Sequence, residues 1–207
     1  MISVFYLGQI LLDYLIVCPV FLLLEWILCR IYRRQGIAYS RGFVIGWQLL
    51  ALLLTAMFSV TGTAGVDDVI RFGTSMIQKQ EIYMQLSDQL TAEMLLNVLL
   101  FIPLGVMLPL LWNNCGFLQT VGTGFLLSGL IELSQLFNFR ATDINDLLMN
   151  TIGVLLGYVI FLLFFRRVTV CLADTSDTIT IAGWGSCLLA FAVYALLASP
   201  SWMLFSF

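Results

Sequence analysis

Six apolar runs, each about the length needed to cross a bilayer as a helix, divide this chain: residues 4–28, 43–63, 94–112, 117–137, 147–165 and 179–198. They are too long and too uniformly apolar for barrel strands, which alternate over about ten residues. Composition agrees: 61% of residues are hydrophobic, 10% are charged, and the mean hydropathy is +1.01. Soluble domains are about half apolar and a quarter charged. The expected fold is therefore all-α, a polytopic transmembrane bundle of about six spans.

The arginines orient the bundle. Arg30, Arg33, Arg34 and Arg41 lie between the first two runs, and Arg166 and Arg167 follow the fifth. The positive-inside rule puts both groups in the cytoplasm and both termini outside. The first run is read as a retained span rather than a signal peptide, because its arginines follow it instead of preceding it. Three regions are expected: the first span with its basic loop (1–42), a transmembrane core (43–167) with an external segment (64–93), and a loop with the sixth span (168–207).

Cysteine and histidine narrow the chemistry. The five cysteines, Cys18, Cys29, Cys115, Cys171 and Cys187, match no metal-ligand spacing, and on this topology none lies in an external loop. Histidine is absent, so the chain itself cannot supply a Ser-His-Asp triad or a His-ligated zinc. No resident cofactor is expected.

Polar residues within the spans carry the functional signal, since carboxylates and amides are costly in lipid. Glu93, Asn97, Phe101 and Gly105 recur every four residues along one face of the third span. Asn97 lies one turn in, roughly 6 Å deep. Pro103 removes one backbone hydrogen bond from that helix. Ser128, Glu132 and Gln135 form a stripe on the fourth span. Asp143, Asp146 and Asn150 form another at the start of the fifth, followed by Gly153 and Gly157, whose spacing permits close helix approach. All three stripes reach one depth in the outer leaflet. The expected geometry is an outward-open cavity lined by Asn97, Glu132, Gln135, Asp143, Asp146 and Asn150, with Arg140 as its nearby cation. Asp13 and Glu25 do not share a face and are weaker candidates. In the external segment, Ile82, Leu86 and Leu90 suggest a short amphipathic helix on the membrane surface, placed to cover the cavity.

Some of these residues could serve packing alone. Intramembrane amides lock helices together, and Asp143 and Asp146 suit the N-terminus of a helix.

The segments Asn97-Val-Leu-Leu-Phe-Ile-Pro-Leu-Gly-Val-Met-Leu-Pro109, Glu132-x-x-Gln135 and Arg140-x-x-Asp143-x-x-Asp146-x-x-x-Asn150-Thr-Ile-Gly153-x-x-x-Gly157-Tyr158 resemble the VanZ-like family in order and spacing. The match is strongest over about 60 residues and extends more weakly from about 45 to 165; Leu96 stands where that family often has Gly. The resemblance implies a bacterial cell-membrane protein linked to resistance against glycopeptide antibiotics of the teicoplanin type. It implies no settled biochemical activity.

Three functions fit the residues. The first is binding of an amphiphile or lipid head group, with a membrane lipid, a lipid-linked cell-wall precursor or a lipid-tailed glycopeptide as partner and no nucleic acid. The second is an enzyme acting on a polyprenyl or phospholipid head group. There Glu132 is general base, Arg140 clamps an anion, and Asp143 and Asp146 hold Mg²⁺ or Ca²⁺. The third is a small lipid transporter, although no inverted repeat is visible. The binding reading is favoured, because one nearby cation is sparse for a diphosphate.

Overall fold

The computed structural model describes residues 2–36, 40–72, 82–83, 91–112, 115–137, 142–167 and 180–197. The helices are α1 (Ile2–Arg34), α2 (Arg41–Thr61), the short α3 (Val66–Phe72), α4 (Ala92–Leu111), α5 (Phe117–Gln135), α6 (Ile144–Ile160) and α7 (Thr180–Leu197). α6 runs on through a π-helical turn, Phe161–Phe165. The chain is an all-α transmembrane bundle. Five helical segments are long and apolar enough to span a bilayer: 8–34, 41–70, 92–111, 117–135 and 144–165. The described apolar part of α7, Gly185–Leu197, is shorter.

Local signals place the helix ends. The Ser40 hydroxyl caps α2 by accepting the Phe43 N–H at 3.2 Å, and Thr91 caps α4 through the Met94 N–H at 3.2 Å. α2 stops at Gly62, whose φ of 68° is left-handed; the following N–H, of Thr63, returns to the Phe58 carbonyl at 2.9 Å. α4 is continuous through Pro103 and Pro109.

Successive long helices from α1 to α6 alternate in direction, so α4 and α6 run parallel. Among the described residues, Arg30, Arg33, Arg34, Arg41, Arg166 and Arg167 all fall at one end, here the arginine end. Asp67, Asp68, Glu93, Asp143 and Asp146 fall at the other, the acidic end. Aromatic rings fill the arginine end. Trp112 meets Phe43 edge-on at 5.9 Å and Trp47 at 6.1 Å, and its indole N–H donates to the Tyr32 hydroxyl at 3.1 Å. The apolar core continues through Leu50, Leu54, Phe58, Phe101, Leu104, Leu108, Leu127 and Ile131.

The most extensive packing joins α4 to α6, and glycine makes it. A Cβ built on Gly105 would overlap the Val154 carbonyl oxygen. On Gly153 it would overlap the Val98 carbonyl oxygen, and on Gly157 that of Ile102. Backbone therefore lies on backbone along this seam.

The external segment differs from expectation where it is described. Ile82 and Tyr83 form a two-residue strand, β1, rather than helix, paired in parallel with β2 (Thr142–Asp143). A β-branched and an aromatic residue suit an extended conformation, as does the β-branched Thr142 opposite Ile82. Leu86 and Leu90 lie outside the described residues, as do Arg140, Cys171 and the acidic positions 81, 88, 174 and 177.

Candidate functional site

Each polar stripe finds its partner on the first two turns of α6 or on the residue that caps it. Asp143 is the N-cap: its Oδ1 accepts the Asn145 backbone N–H at 2.9 Å and the Asn145 side-chain amide at 2.7 Å. One turn on, Asp146 Oδ1 accepts the Asn97 amide of α4 at 2.7 Å. A further turn in, the Asn150 amide donates to the Ser128 hydroxyl of α5 at 2.9 Å. Glu132 of α5 accepts the Asp143 backbone N–H at 3.0 Å through Oε2, while its own carbonyl accepts the Thr142 hydroxyl at 3.3 Å. α6 thus joins Asn97, Ser128 and Glu132 into one network spanning three helices.

Burial makes this network expensive to leave unsatisfied. Glu132 is 7% exposed, Asn150 1% and Ser128 0%. The Asn150 Oδ1 is buried and finds no hydrogen-bond partner among the described residues. Such a group costs about 1–3 kcal/mol unless something donates to it. Among the described residues, the Asn150 Oδ1 is therefore a buried acceptor of this cluster that no protein donor matches.

Gln135 leaves this group. It continues the Ser128–Glu132 stripe in sequence, but its amide donates to the Thr61 carbonyl at the end of α2, at 2.7 Å. Three residues beyond Glu132, the helix face has turned some 300°, from α6 toward α2. A carbonyl can only accept, so the orientation of this amide is fixed. Its Oε1 is the end left buried without a hydrogen-bond partner among the described residues. The neighbouring Ser134 hydroxyl ties the same corner by accepting the Ala64 N–H at 3.2 Å.

Tyr83 pairs with Asp143, so β1 lies alongside the two residues that hydrogen-bond Glu132. No group of three His, Cys, Asp or Glu side chains is placed to hold a metal ion among the described residues.

Sequence reading missed a second set of polar contacts. The Gln48 amide of α2 donates to the Glu25 carboxylate of α1, and the Gln48 carbonyl accepts the Tyr14 hydroxyl at 3.1 Å. Asp13 accepts the Gln9 amide at 3.0 Å and the Tyr194 hydroxyl of α7 at 3.3 Å. The available signal was the pairing of a lone acid in one span with a lone amide or phenol in another. Glu25 turns into the bundle toward Gln48, whereas Arg30 lies on the Trp26 ring, 4.9 Å from its centroid.

The model of the VanZ/LLP1 family matches residues 43–165, from the start of α2 to the end of the π turn. The chain belongs to the VanZ/LLP1 family. Protein VanZ of Enterococcus faecium is 41% identical to it over 66 residues, which are 31% of this chain and 41% of that protein. The chain thus aligns with less than half the length of that relative. No solved structure matches. All the paired site residues fall inside the VanZ/LLP1 match, whereas α1, α7 and their Asp13–Tyr194 contact lie outside it.

Proposed function

We propose that this VanZ/LLP1 protein binds the head group of an amphiphile at the α4–α5–α6 polar cluster, on the outer side of a bacterial cell membrane. Through that binding it would contribute to resistance against teicoplanin-type glycopeptides. The observation that carries the reading is a buried acceptor left over in a polar network: α6 joins Glu132, Asn97 and Ser128, and within that network the Asn150 Oδ1 is unmatched among the described residues. Such a site suits a group rich in donors, either hydroxylated or cationic. The arginine end as the cytoplasmic side supports the orientation. The cluster then faces the leaflet where lipid-linked wall precursors and lipid-tailed glycopeptides meet the membrane. The Ile82–Tyr83 strand pairs with Thr142–Asp143 at this end of the bundle.

Glu132→Gln tests this directly. The substitution keeps the shape and an acceptor for the Asp143 N–H but removes the charge. Susceptibility to teicoplanin would be compared between cells expressing either form, beside membrane abundance. The expected result is loss of the susceptibility shift at unchanged abundance. Full activity of Glu132→Gln at equal abundance would return the cluster to helix packing.

A further inference from the structure

An apolar groove lies at the same end of the bundle, on the flank of α5 that faces away from α6. Ala64, Gly65, Val66 and Val69 form one wall, Leu130, Leu133, Ser134 and Phe137 the floor, and Phe191 and Ala195 of α7 the other wall, around a volume of about 210 Å³. The polar atom of its floor side chains, the Ser134 Oγ, is already committed: it donates to the Ile131 carbonyl at 2.7 Å and accepts the Ala64 N–H. The groove therefore offers a ligand only hydrocarbon. We propose that it seats one acyl chain of a membrane phospholipid, next to the head-group site.

Three observations commit it to that occupant. The rim is continuous with the lipid-facing surface, since Leu133 is 56% exposed, Val69 41% and Val66 39%. Whatever enters comes from the bilayer. The volume is below that of most small-molecule pockets, roughly 300–1,000 Å³, and a helix of about 10–12 Å diameter does not fit it. A single narrow chain does. Finally, the turn that walls the groove also bounds the polar corner: Thr61 holds Gln135, and Ala64 holds Ser134. The buried Gln135 Oε1, unmatched among the described residues, lies one residue from the floor. A chain in the groove would bring its glycerol or head-group donors toward that level. This deepens the head-group reading and rests on it for the choice of leaflet.

The test uses the full-length protein in nanodiscs of phosphatidylethanolamine and phosphatidylglycerol, with a trace of phosphatidylglycerol bearing a diazirine midway along one acyl chain. After irradiation, adducts are mapped by peptide mass spectrometry. Adducts at residues 130–137 and 191–195 are expected to exceed those at Leu96 and Leu99 by about fivefold, as packing into a fitted site rather than plain lipid contact predicts. Leu96 and Leu99, in the same half of the bundle, are 62% and 60% exposed and serve as ordinary lipid-facing references. Filling the groove by Ala195→Leu, or by Val69→Trp at its rim should the first variant not fold, is expected to abolish the excess. Even labelling across groove and reference positions would overturn the proposal, as would protein–protein adducts there from a second copy. Glu132→Gln is expected to leave groove labelling intact. Loss of the groove signal with a normal Glu132 phenotype would thus reject the chain site alone, and the converse would reject the head-group reading alone.

Discussion

Gly105 of α4 lies against the peptide between Val154 and its neighbours on α6, so that a Cβ at position 105 would come within 2.9 Å of the Tyr158 nitrogen as well as overlapping the Val154 carbonyl. The parallel seam between these helices has no room for a side chain there.

Gly153→Ala and Gly157→Ala are accordingly expected to destabilise the bundle by about 1–3 kcal/mol each, because the obstructing atoms are backbone and cannot rotate away. Gly153→Leu should eliminate folded protein. Gly122→Ala, where nothing lies within 4 Å of the added carbon, should change little. Thermal unfolding in detergent, followed by size-exclusion recovery, checks the ranking. Equal stability of Gly153→Ala and Gly122→Ala would contradict the seam.

Asn97 and Asp146 are expected to couple. A cycle of Asn97→Ala, Asp146→Ala and the double variant should return an interaction of about 0.6–1.7 kcal/mol, the range for hydrogen bonds between membrane helices. Additive losses would show that the 2.7 Å bond contributes nothing beyond its separate partners.

Asn150→Leu should act on function more than on stability. It removes the donor to Ser128, which is 0% exposed, but also removes the Oδ1 that is unmatched among the described residues. The net loss in stability is expected to stay near 1 kcal/mol, at the lower end for a buried polar deletion, while the teicoplanin phenotype disappears. A large loss of folded protein would make Asn150 a scaffold residue.

Orientation can be read with thiols. In a background without the native cysteines, Gln35→Cys should react with an impermeant maleimide only after permeabilisation, and Thr142→Cys in intact cells. The reverse pattern would invert the topology and turn the cluster inward. In the unsubstituted protein, the native Cys115, between α4 and α5 at the arginine end, makes a separate test: burial pushes its thiol up from 9.0 to about 11. In the folded protein this thiol should resist alkylation at neutral pH, with reactivity rising only as pH climbs through that value. Because the folded value is raised, the stability contributed by the neutral thiol is fully present below pH 9 and is lost as pH rises through about 11.

Much of this architecture was legible because the bilayer makes length and polarity meaningful. The runs at 43–63, 94–112 and 117–137 end within two residues of α2, α4 and α5. Helical spacing also identified Asn97, Glu132, Asp146 and Asn150 as residues of one end. What spacing did not carry was azimuth and partner. Gln135 belonged to the stripe by its i+7 position, yet three residues past Glu132 it meets Thr61. Gln48 is a lone amide in α2 and gains meaning only once α1 is packed beside it with Glu25. The two-residue strand at Ile82 was invisible for a similar reason: its partner at Thr142 is 60 positions away, and so short a pairing leaves no periodicity to detect.

The glycine seam also has a mechanical consequence. With the carbonyls of Val98 and Ile102 seated over Gly153 and Gly157, α4 and α6 can neither slide nor roll past one another without collision. They move as a single strut carrying Asn97, Asp146 and Asn150 at fixed spacing. Compliance at the acidic end must therefore come from α5, which is held there by side chains rather than backbone, and from the loop that Glu132 grips. A ligand that adjusts the fit of this site does so by shifting α5, and with it the floor of the neighbouring groove.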